Sequence, residues 1–132
     1  MSYELQKLDL PKINTGLMLR FKFLSKTLKD PAFEEVYEGS TNYMSGEGLL
    51  MTSQQAPFLK WINQLINQEI MLGINIILPS EEQPLKALGK FAWLEINEDN
   101  PPKMAVGLKF KQLAPADKEK IFKFTIKSQF KA

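Results

Sequence analysis

The sequence contains no histidine and no cysteine, and only one of its 17 basic residues, Arg20, is an arginine. The absence of both residue types excludes disulfides, thiolate nucleophiles, Cys/His zinc sites, haem ligation and the Ser-His-Asp relay. The lysines do not replace the missing arginines, because an ammonium lacks the planar pair of donors that grips a guanine edge or a phosphate at two points. The sequence therefore excludes several enzyme classes and limits how an anionic ligand is bound.

Long apolar runs are missing as well. The longest runs from Ile70 to Leu78, includes Asn75 and is too short to span a bilayer. The first ten residues lack the apolar stretch of a signal peptide. With 132 residues, 44% of them hydrophobic and 24% charged, the chain is expected to form one globular domain with a single core and no membrane span. We expect a cytoplasmic location.

Charge is unevenly distributed along the chain. From Lys103 to the C-terminus there are eight lysines against Asp117 and Glu119, a net of +6 within an overall +2, which leaves −4 for residues 1–102. A basic segment of this kind meets an acidic protein, nucleic acid or an anionic membrane surface, or it is only the solvated face of a helix. Composition alone does not choose among these.

Alternating apolar residues predict β-strands over most of the chain. The clearest two-residue period has Met104, Val106, Leu108 and Phe110 on one face of a strand. Six strands are predicted, at 16–24, 33–41, from 49 to at least 51, 70–78, 84–96 and 103–110. A turn is predicted at Ser45–Gly48, where two glycines lie close together.

Two helices interrupt this pattern. After Pro57 the apolar residues recur at three- and four-residue spacing, which predicts an amphipathic helix of about three turns ending near Gln68. Pro115 and Asp117 favour the start of a second helix that ends near Ser128. The order of elements predicts a mainly β fold, an antiparallel barrel or sandwich with one inserted helix and a C-terminal helix. Residues 1–15 are interpreted as an N-terminal arm and residues 16–132 as the domain.

Several short motifs, in their order along the chain, resemble those of PilZ domains. The second half has a strand with a Trp near its end (Gly89–Trp93), a turn, the strand Met104–Phe110, then Leu113, Asp117 and a helix. Upstream, the segment Met44–Leu50 is similar to the family's turn. The resemblance implies a six-stranded antiparallel barrel with a C-terminal helix. Many PilZ domains are bacterial receptors for cyclic di-GMP, so it also implies this ligand.

The arm lacks the arginines that the resemblance would require. Cyclic di-GMP presents two guanines and two phosphates, and PilZ receptors meet it with an Arg, three residues, Arg motif before the first strand. In this sequence the arm offers Lys7 and Lys12, which are one residue further apart and are not arginines. A lysine loses the bidentate contact to guanine, which is typically worth about 1–3 kcal/mol of discrimination.

The turn motif is also altered. The PilZ pattern is Asp or Asn, one residue, Ser, two residues and Gly; Ser45 and Gly48 fit it, whereas Tyr43 occupies the first position and Asn42 stands one residue too early. In a regular strand, a one-residue step sends a side chain to the opposite face. A β-bulge would return Asn42 to the required face. For Ser45 and Gly48, a purely structural turn is the favoured interpretation.

The C-terminal helix offers a possible partner surface. On a helical wheel, Lys120, Lys123 and Lys127 cluster on one side, and Phe124 falls beside them. The opposite side carries Ile121, Phe122, Thr125 and Ile126. Phe124 either anchors a partner on this cationic face or packs against a neighbouring strand or subunit, and the sequence leaves both open.

Three functional hypotheses follow. The leading one is a non-catalytic PilZ-type signalling or adaptor domain that has a protein partner and whose binding of cyclic di-GMP is weak or lost. The first alternative is a cyclic di-GMP receptor that uses Lys7, Lys12, Tyr43, Ser45 and Gly48. The second is nonspecific nucleic-acid binding through the lysine face, which would weaken steeply with salt. No cofactor and no metal are expected. No pair of acidic residues converges for acid–base catalysis, and the sequence has no EF-hand spacing, which leaves open only a metal site made of carboxylates alone.

Overall fold

The computed structural model describes residues 2–4, 16–53, 57–79, 81–97 and 103–129. In this part of the chain there are two α-helices, α1 (Ile62–Ile66) and α2 (Pro115–Gln129), and a short 3₁₀ helix (Pro31–Glu34). The β-strands, in chain order, are β1 (Ser2–Glu4), β2 (Met18–Leu24), β3 (Tyr37–Met44), β4 (Gly48–Ser53), β5 (Met71–Ile76), β6 (Leu85–Asn97) and β7 (Lys103–Leu113).

Six of the strands form a closed antiparallel barrel. The strand order is β6-β5-β2-β3-β4-β7, and pairing between β7 and β6 closes the ring. β1 stands outside the ring, where Ser2 pairs with Glu95 and Glu4 with Trp93. β5 pairs with β6 only as far as Gly89, and β1 pairs with β6 beyond that point. The six-stranded barrel predicted from the sequence is confirmed, and part of the predicted arm adds a strand to it.

The barrel interior is filled by the apolar residues that alternate along the strands. On β2, Leu19, Phe21 and Phe23 are buried, whereas Met18 and Leu24 are exposed on the outside. Phe58, which follows β4, inserts into this interior, and its ring centroid lies 5.2 Å from that of Phe23. Each such buried side chain contributes about 1.5–3 kcal/mol to stability. This core gives the outer barrel surface a rigid support.

Gly89 on β6 has a packing reason. A Cβ atom at this position would lie 2.8 Å from Cδ1 of Ile74 on the neighbouring β5. Because the Ile74 side chain comes this close to β6, position 89 has no room for a side chain.

The second strand begins later than its sequence pattern predicts. The predicted range was 33–41, but Pro31–Glu34 forms the 3₁₀ helix, and β3 begins at Tyr37. Asp30 caps that helix, since its Oδ1 accepts a hydrogen bond from Ala32 N at 2.9 Å. The Asp30 cap and Pro31 thus favour a 3₁₀ helix at the place where the first part of the strand was predicted.

The inserted helix is shorter than predicted. Only Ile62–Ile66 is α-helical, in place of three turns from residue 57 to 68. The chain before it makes a tighter turn, in which Trp61 N donates to Phe58 O at 3.2 Å, and this turn carries the fully buried Phe58 into the barrel. The helix ends before Gln68, whose φ of 61° is left-handed. The apolar spacing correctly identified the buried face, but not the length of the helix.

Candidate functional site

The turn between β3 and β4 is closed by its own polar groups. Ser45 N donates to Gly48 O at 2.9 Å, and Glu47 N donates to the Ser45 hydroxyl oxygen at 3.1 Å. Phe110 N donates to Glu47 O at 2.8 Å and ties the turn to β7. The predicted turn is therefore present, and the Ser45 hydroxyl is engaged inside it.

A β-bulge lies at Asn42. Thr41 pairs with Met51 and Tyr43 pairs with Leu50, so Asn42 is the extra residue on β3. Thr41 is 1% exposed and Met44 is fully buried, while the two residues between them are half-buried. Because regular strands alternate, two consecutive residues outside the core require such a bulge. The bulge places Asn42 on the outer side of the barrel together with Tyr43.

The side chain of Asn42 already has a partner in the fold. Its Oδ1 accepts a hydrogen bond from the Thr52 hydroxyl on β4 at 3.0 Å. This bond stabilises the bulge by linking it to the neighbouring strand, as expected for a partly buried hydrogen bond worth about 1 kcal/mol.

The end of the arm meets the barrel beside this bulge. Gly16 N donates to Thr41 O at 3.0 Å, and Leu17 N donates to the buried Thr41 hydroxyl oxygen at 2.9 Å. Gly16 has a φ of 56°, a conformation that glycine adopts without a steric penalty. Lys7 and Lys12 lie outside the described residues.

The single arginine is engaged away from the motif. Arg20 lies on the outside of β2, opposite Glu38, and its Nε is 3.7 Å from Glu38 Oε1. Glu38 precedes Asn42 by four residues on β3, a separation of about 13 Å along a strand. The guanidinium therefore does not stand beside the bulge and turn.

Helix α2 packs on the barrel through only part of the apolar side of its wheel. Ile121 is fully buried and Thr125 is 8% exposed, while Phe124 is partly buried against the core. Phe122 and Ile126, which share the apolar side with Ile121 and Thr125, are 60% and 36% exposed. The apolar residues span a broad arc, and packing against the barrel selects only part of it. Phe124 packs against the barrel, as one of its two interpretations stated.

The predicted lysine cluster divides into two kinds. Lys120 Nζ lies 3.6 Å from Glu81 Oε2 and 3.8 Å from Asp117 Oδ1, so it ties α2 to the turn between β5 and β6. Lys123 Nζ lies 3.3 Å from Glu119 Oε1, with both side chains about two-thirds exposed. Among the described residues, Lys127 makes no ion pair and is exposed. Lys123 and Lys127 thus extend into solvent, whereas Lys120, with 42% of its side chain exposed, is engaged by two acidic partners.

A groove separates α2 from the turn between β3 and β4. Its volume is about 590 Å³, and it is lined by Ser45, Gly46, Glu47, Pro115, Lys118, Glu119 and Phe122. The Lys118 stem crosses Gly46 so closely that a Cβ there would be 2.9 Å from the lysine Cγ. Sequence reasoning missed Phe122 and Lys118; the four-residue spacing of Phe122 and Ile126 was the available signal.

Two kinds of feature are absent from the described residues. No group of three or more acidic side chains in this part of the chain is arranged to hold a metal ion. None of its helices combines the length and the apolar character needed to cross a membrane.

Comparisons with known proteins bear on the fold. No protein-family model and no curated protein matches the sequence. Among solved structures, the chain is similar to the inhibitor of motility MotI/DgrA from Bacillus subtilis, with a TM-score of 0.58, 17% identity, and coverage of 95% of this chain and 52% of that one. It is also similar to K. pneumonia MrkH in its apo state, with a TM-score of 0.66, 15% identity, and coverage of 94% and 50%.

A second crystal structure of MrkH gives a TM-score of 0.60 at 13% identity. The chain spans about half the length of these structural neighbours. At such low identity the likeness concerns the fold alone. It confirms the PilZ-type barrel that the sequence motifs predicted.

Proposed function

We propose that this chain is a cytoplasmic PilZ-type signalling domain that acts without catalysis, as an adaptor, and whose binding of cyclic di-GMP is weak or lost. The PilZ-type barrel supports the signalling class, and one structural neighbour is an inhibitor of motility, a regulatory activity. The adaptor function is assigned to the exposed side of α2, where Lys123 and Lys127 reach solvent.

The main support for weakened ligand binding is that no guanidinium lies beside the hairpin formed by Asn42–Gly48, which comprises the bulge and the turn between β3 and β4. Arg20 is paired with Glu38 on another part of the barrel, and the arm holds Lys7 and Lys12 instead of arginines. Losing two bidentate guanine or phosphate contacts, at about 1–3 kcal/mol each, lowers affinity roughly 30-fold to 20,000-fold. Asn42 and Ser45 also accept hydrogen bonds within the fold, which fixes the direction in which their side chains point.

Calorimetric titration with cyclic di-GMP tests this proposal. We expect a dissociation constant of roughly 30 μM or weaker, because the affinity loss above applies to a receptor that would otherwise bind at about 1 μM. The double variant Leu8→Arg/Lys12→Arg creates two arginines at the family spacing and is expected to gain binding. The matched variant Leu8→Lys creates the same spacing with ammonium groups and is expected not to.

A second candidate, a working cyclic di-GMP receptor, is favoured by the bulge. The bulge places Asn42 and Tyr43 together on the outside of the barrel, beside the point where the arm arrives at Thr41. Such a receptor would use Lys7, Lys12, Tyr43, Ser45 and Gly48. Micromolar binding by the unmodified chain that Lys12→Ala abolishes, and that Ser40→Ala on the same strand leaves unchanged, would support it and overturn the first proposal.

A further inference from the structure

Helix α2 exposes an apolar pair on its solvent side. Phe122 and Ile126 are 60% and 36% exposed, and their four-residue spacing places them one above the other on the helix. Phe122 also lines the groove beside the turn between β3 and β4. Isolated exposed apolar side chains are common, but an adjacent pair at the mouth of a groove forms a continuous surface that a partner can bury.

Cations flank this pair. Lys118 lines the groove, and Lys123 and Lys127 follow along the outer side of the helix. Lys118 and Lys127 make no ion pair with any side chain in the described part of the chain. Lys123 has only the exposed carboxylate of Glu119 as partner, a pair of the kind that contributes little. The outer side of α2 therefore carries a surplus of positive charge next to apolar surface.

The turn residues Ser45–Glu47 form the side of the groove opposite the helix. The backbone of Ser45–Glu47 is fixed by its own hydrogen bonds and by the bond from Phe110 N to Glu47 O at 2.8 Å. Gly46 lacks a side chain where the aliphatic stem of Lys118 lies against it, so the lysine is held over the turn. A rigid wall of this kind reduces the ordering cost of binding.

We propose that the groove and the apolar pair, here called the α2 surface (Lys118, Phe122, Lys123, Ile126 and Lys127), bind an acidic amphipathic segment of a partner protein. Apolar side chains of the segment would cover Phe122 and Ile126, and its carboxylates would meet Lys123 and Lys127. The inference rests on the proposed adaptor function and names the chemistry of its partner.

Two other occupants fit this surface less well. Nucleic acid offers no apolar side chains and would leave the apolar pair of Phe122 and Ile126 uncovered. A second copy of the chain would present the same surplus of lysines, and like charges facing each other are costly. An acidic segment with apolar side chains one helical turn apart satisfies both features of the surface.

Selection from a displayed library of random peptides against the intact chain tests the proposal. Enriched peptides are expected to be net negative and to carry apolar residues one turn apart. For the most enriched peptide, synthesised with a fluorescent label, Phe122→Ser and Lys123→Glu/Lys127→Glu are each expected to weaken binding by about tenfold or more, as for central anchor residues. Binding is also expected to weaken as salt increases.

Matched controls separate this effect from loss of folding. Val36→Ser changes an equally exposed side chain (55%) at the opposite end of β3, and Lys26→Glu/Lys29→Glu reverses two exposed lysines elsewhere. Both are expected to leave peptide affinity within about twofold, since surface changes away from a site have small effects. The thermal midpoint of each variant reports folding independently.

Several outcomes would overturn the proposal. These are enrichment of neutral or basic peptides, no enrichment, or an affinity that Phe122→Ser leaves unchanged. Self-association or a nucleic-acid gel shift that is lost in Phe122→Ser would assign the surface to a second copy or to nucleic acid instead. Calorimetry with cyclic di-GMP on the unmodified chain tests separately whether ligand binding is weak or lost. Failure of the peptide-binding proposal can therefore be distinguished from failure of the proposed function.

Discussion

The turn of the Asn42–Gly48 hairpin and helix α2 form opposite walls of one groove but use their side chains in opposite ways. In the hairpin, the side-chain oxygens of Asn42 and Ser45 accept hydrogen bonds within the fold. On α2, Phe122 remains 60% exposed next to lysines. Asn42 and Ser45, which belong to the segment that resembles a family motif, thus have structural roles, whereas the exposed Phe122 has none. The helix is therefore the better candidate for a binding surface.

The largest expected effect separates two neighbouring residues of α2. Ile121 is fully buried and Phe122 is mostly exposed. Ile121→Ala should lower the free energy of unfolding by about 2–4 kcal/mol, because it removes buried methyl groups and leaves a cavity. Phe122→Ala should change it by less than about 0.5 kcal/mol. Urea unfolding followed by tryptophan fluorescence measures both.

In peptide binding, the order of the same two variants should be reversed, with Phe122→Ala having the larger effect and Ile121→Ala the smaller one. At a temperature where Ile121→Ala is still folded, its affinity for the selected acidic peptide should stay close to that of the unmodified chain. Equal destabilisation by both substitutions would show that Phe122 belongs to the core and would remove the contrast between the hairpin and the helix.

A deletion in the hairpin tests whether its bulge is what separates it from the family motif. Removing Tyr43 leaves Asn42-Met-Ser-Gly-Glu-Gly, the PilZ spacing, and restores the alternation of buried Thr41, outward Asn42 and buried Met44. The free energy of unfolding should change by less than about 1 kcal/mol, because the inward residues keep their places. Added to Leu8→Arg/Lys12→Arg, the deletion should leave cyclic di-GMP affinity within about twofold, because the bulge already places Asn42 on the outer side of the barrel.

Deleting Met44 instead is the matched control for this deletion. It produces the same motif spacing in the sequence but moves Tyr43 into the fully buried position of Met44. Placing a larger, polar-tipped ring there should cost about 1–3 kcal/mol. If the two deletions proved equally stable in chemical denaturation, the assigned inward and outward faces of β3 would be wrong.

The sequence predicted the fold better than it predicted the site. Two-residue alternation was clear only in β2 and β7. Apolar or aromatic segments indicated the other four barrel strands, and the one that became β3 was placed too early. The sequence left open whether Asn42 forms a bulge or continues a regular strand. The answer depends on how Thr41 and Tyr43 pair with β4, and the sequence of β3 alone does not determine this pairing.

The helix shows a similar limit. Apolar residues at 121, 122, 124 and 126 span most of a wheel, so the wheel could not decide between Phe122 and Phe124. The barrel decides, because it buries Ile121 and packs against Phe124, and thereby turns Phe122 outward. Tertiary packing, rather than local pattern, therefore determines which aromatic residue is available to a partner.

The smallest expected effect concerns the carboxylate on the outer side of α2. Glu119 Oε1 lies 3.3 Å from Lys123 Nζ, and both side chains are about two-thirds exposed, so Glu119→Gln should change the free energy of unfolding by less than about 0.5 kcal/mol. The substitution frees Lys123 and removes a negative charge from the groove. Affinity for the acidic peptide should therefore rise about two- to threefold at low salt, and the gain should disappear at high salt.

Glu34→Gln, at an exposed position in the 3₁₀ helix, is the control for the loss of one negative charge from the molecule as a whole. If it raised the affinity as much as Glu119→Gln does, the peptide would be responding to net charge and not to the α2 surface. If Glu119→Gln instead weakened binding, Glu119 would be a direct contact, and the partner segment would need a basic group at that end of the groove. The pair of variants thus reports whether a carboxylate of the segment lies close to Lys123.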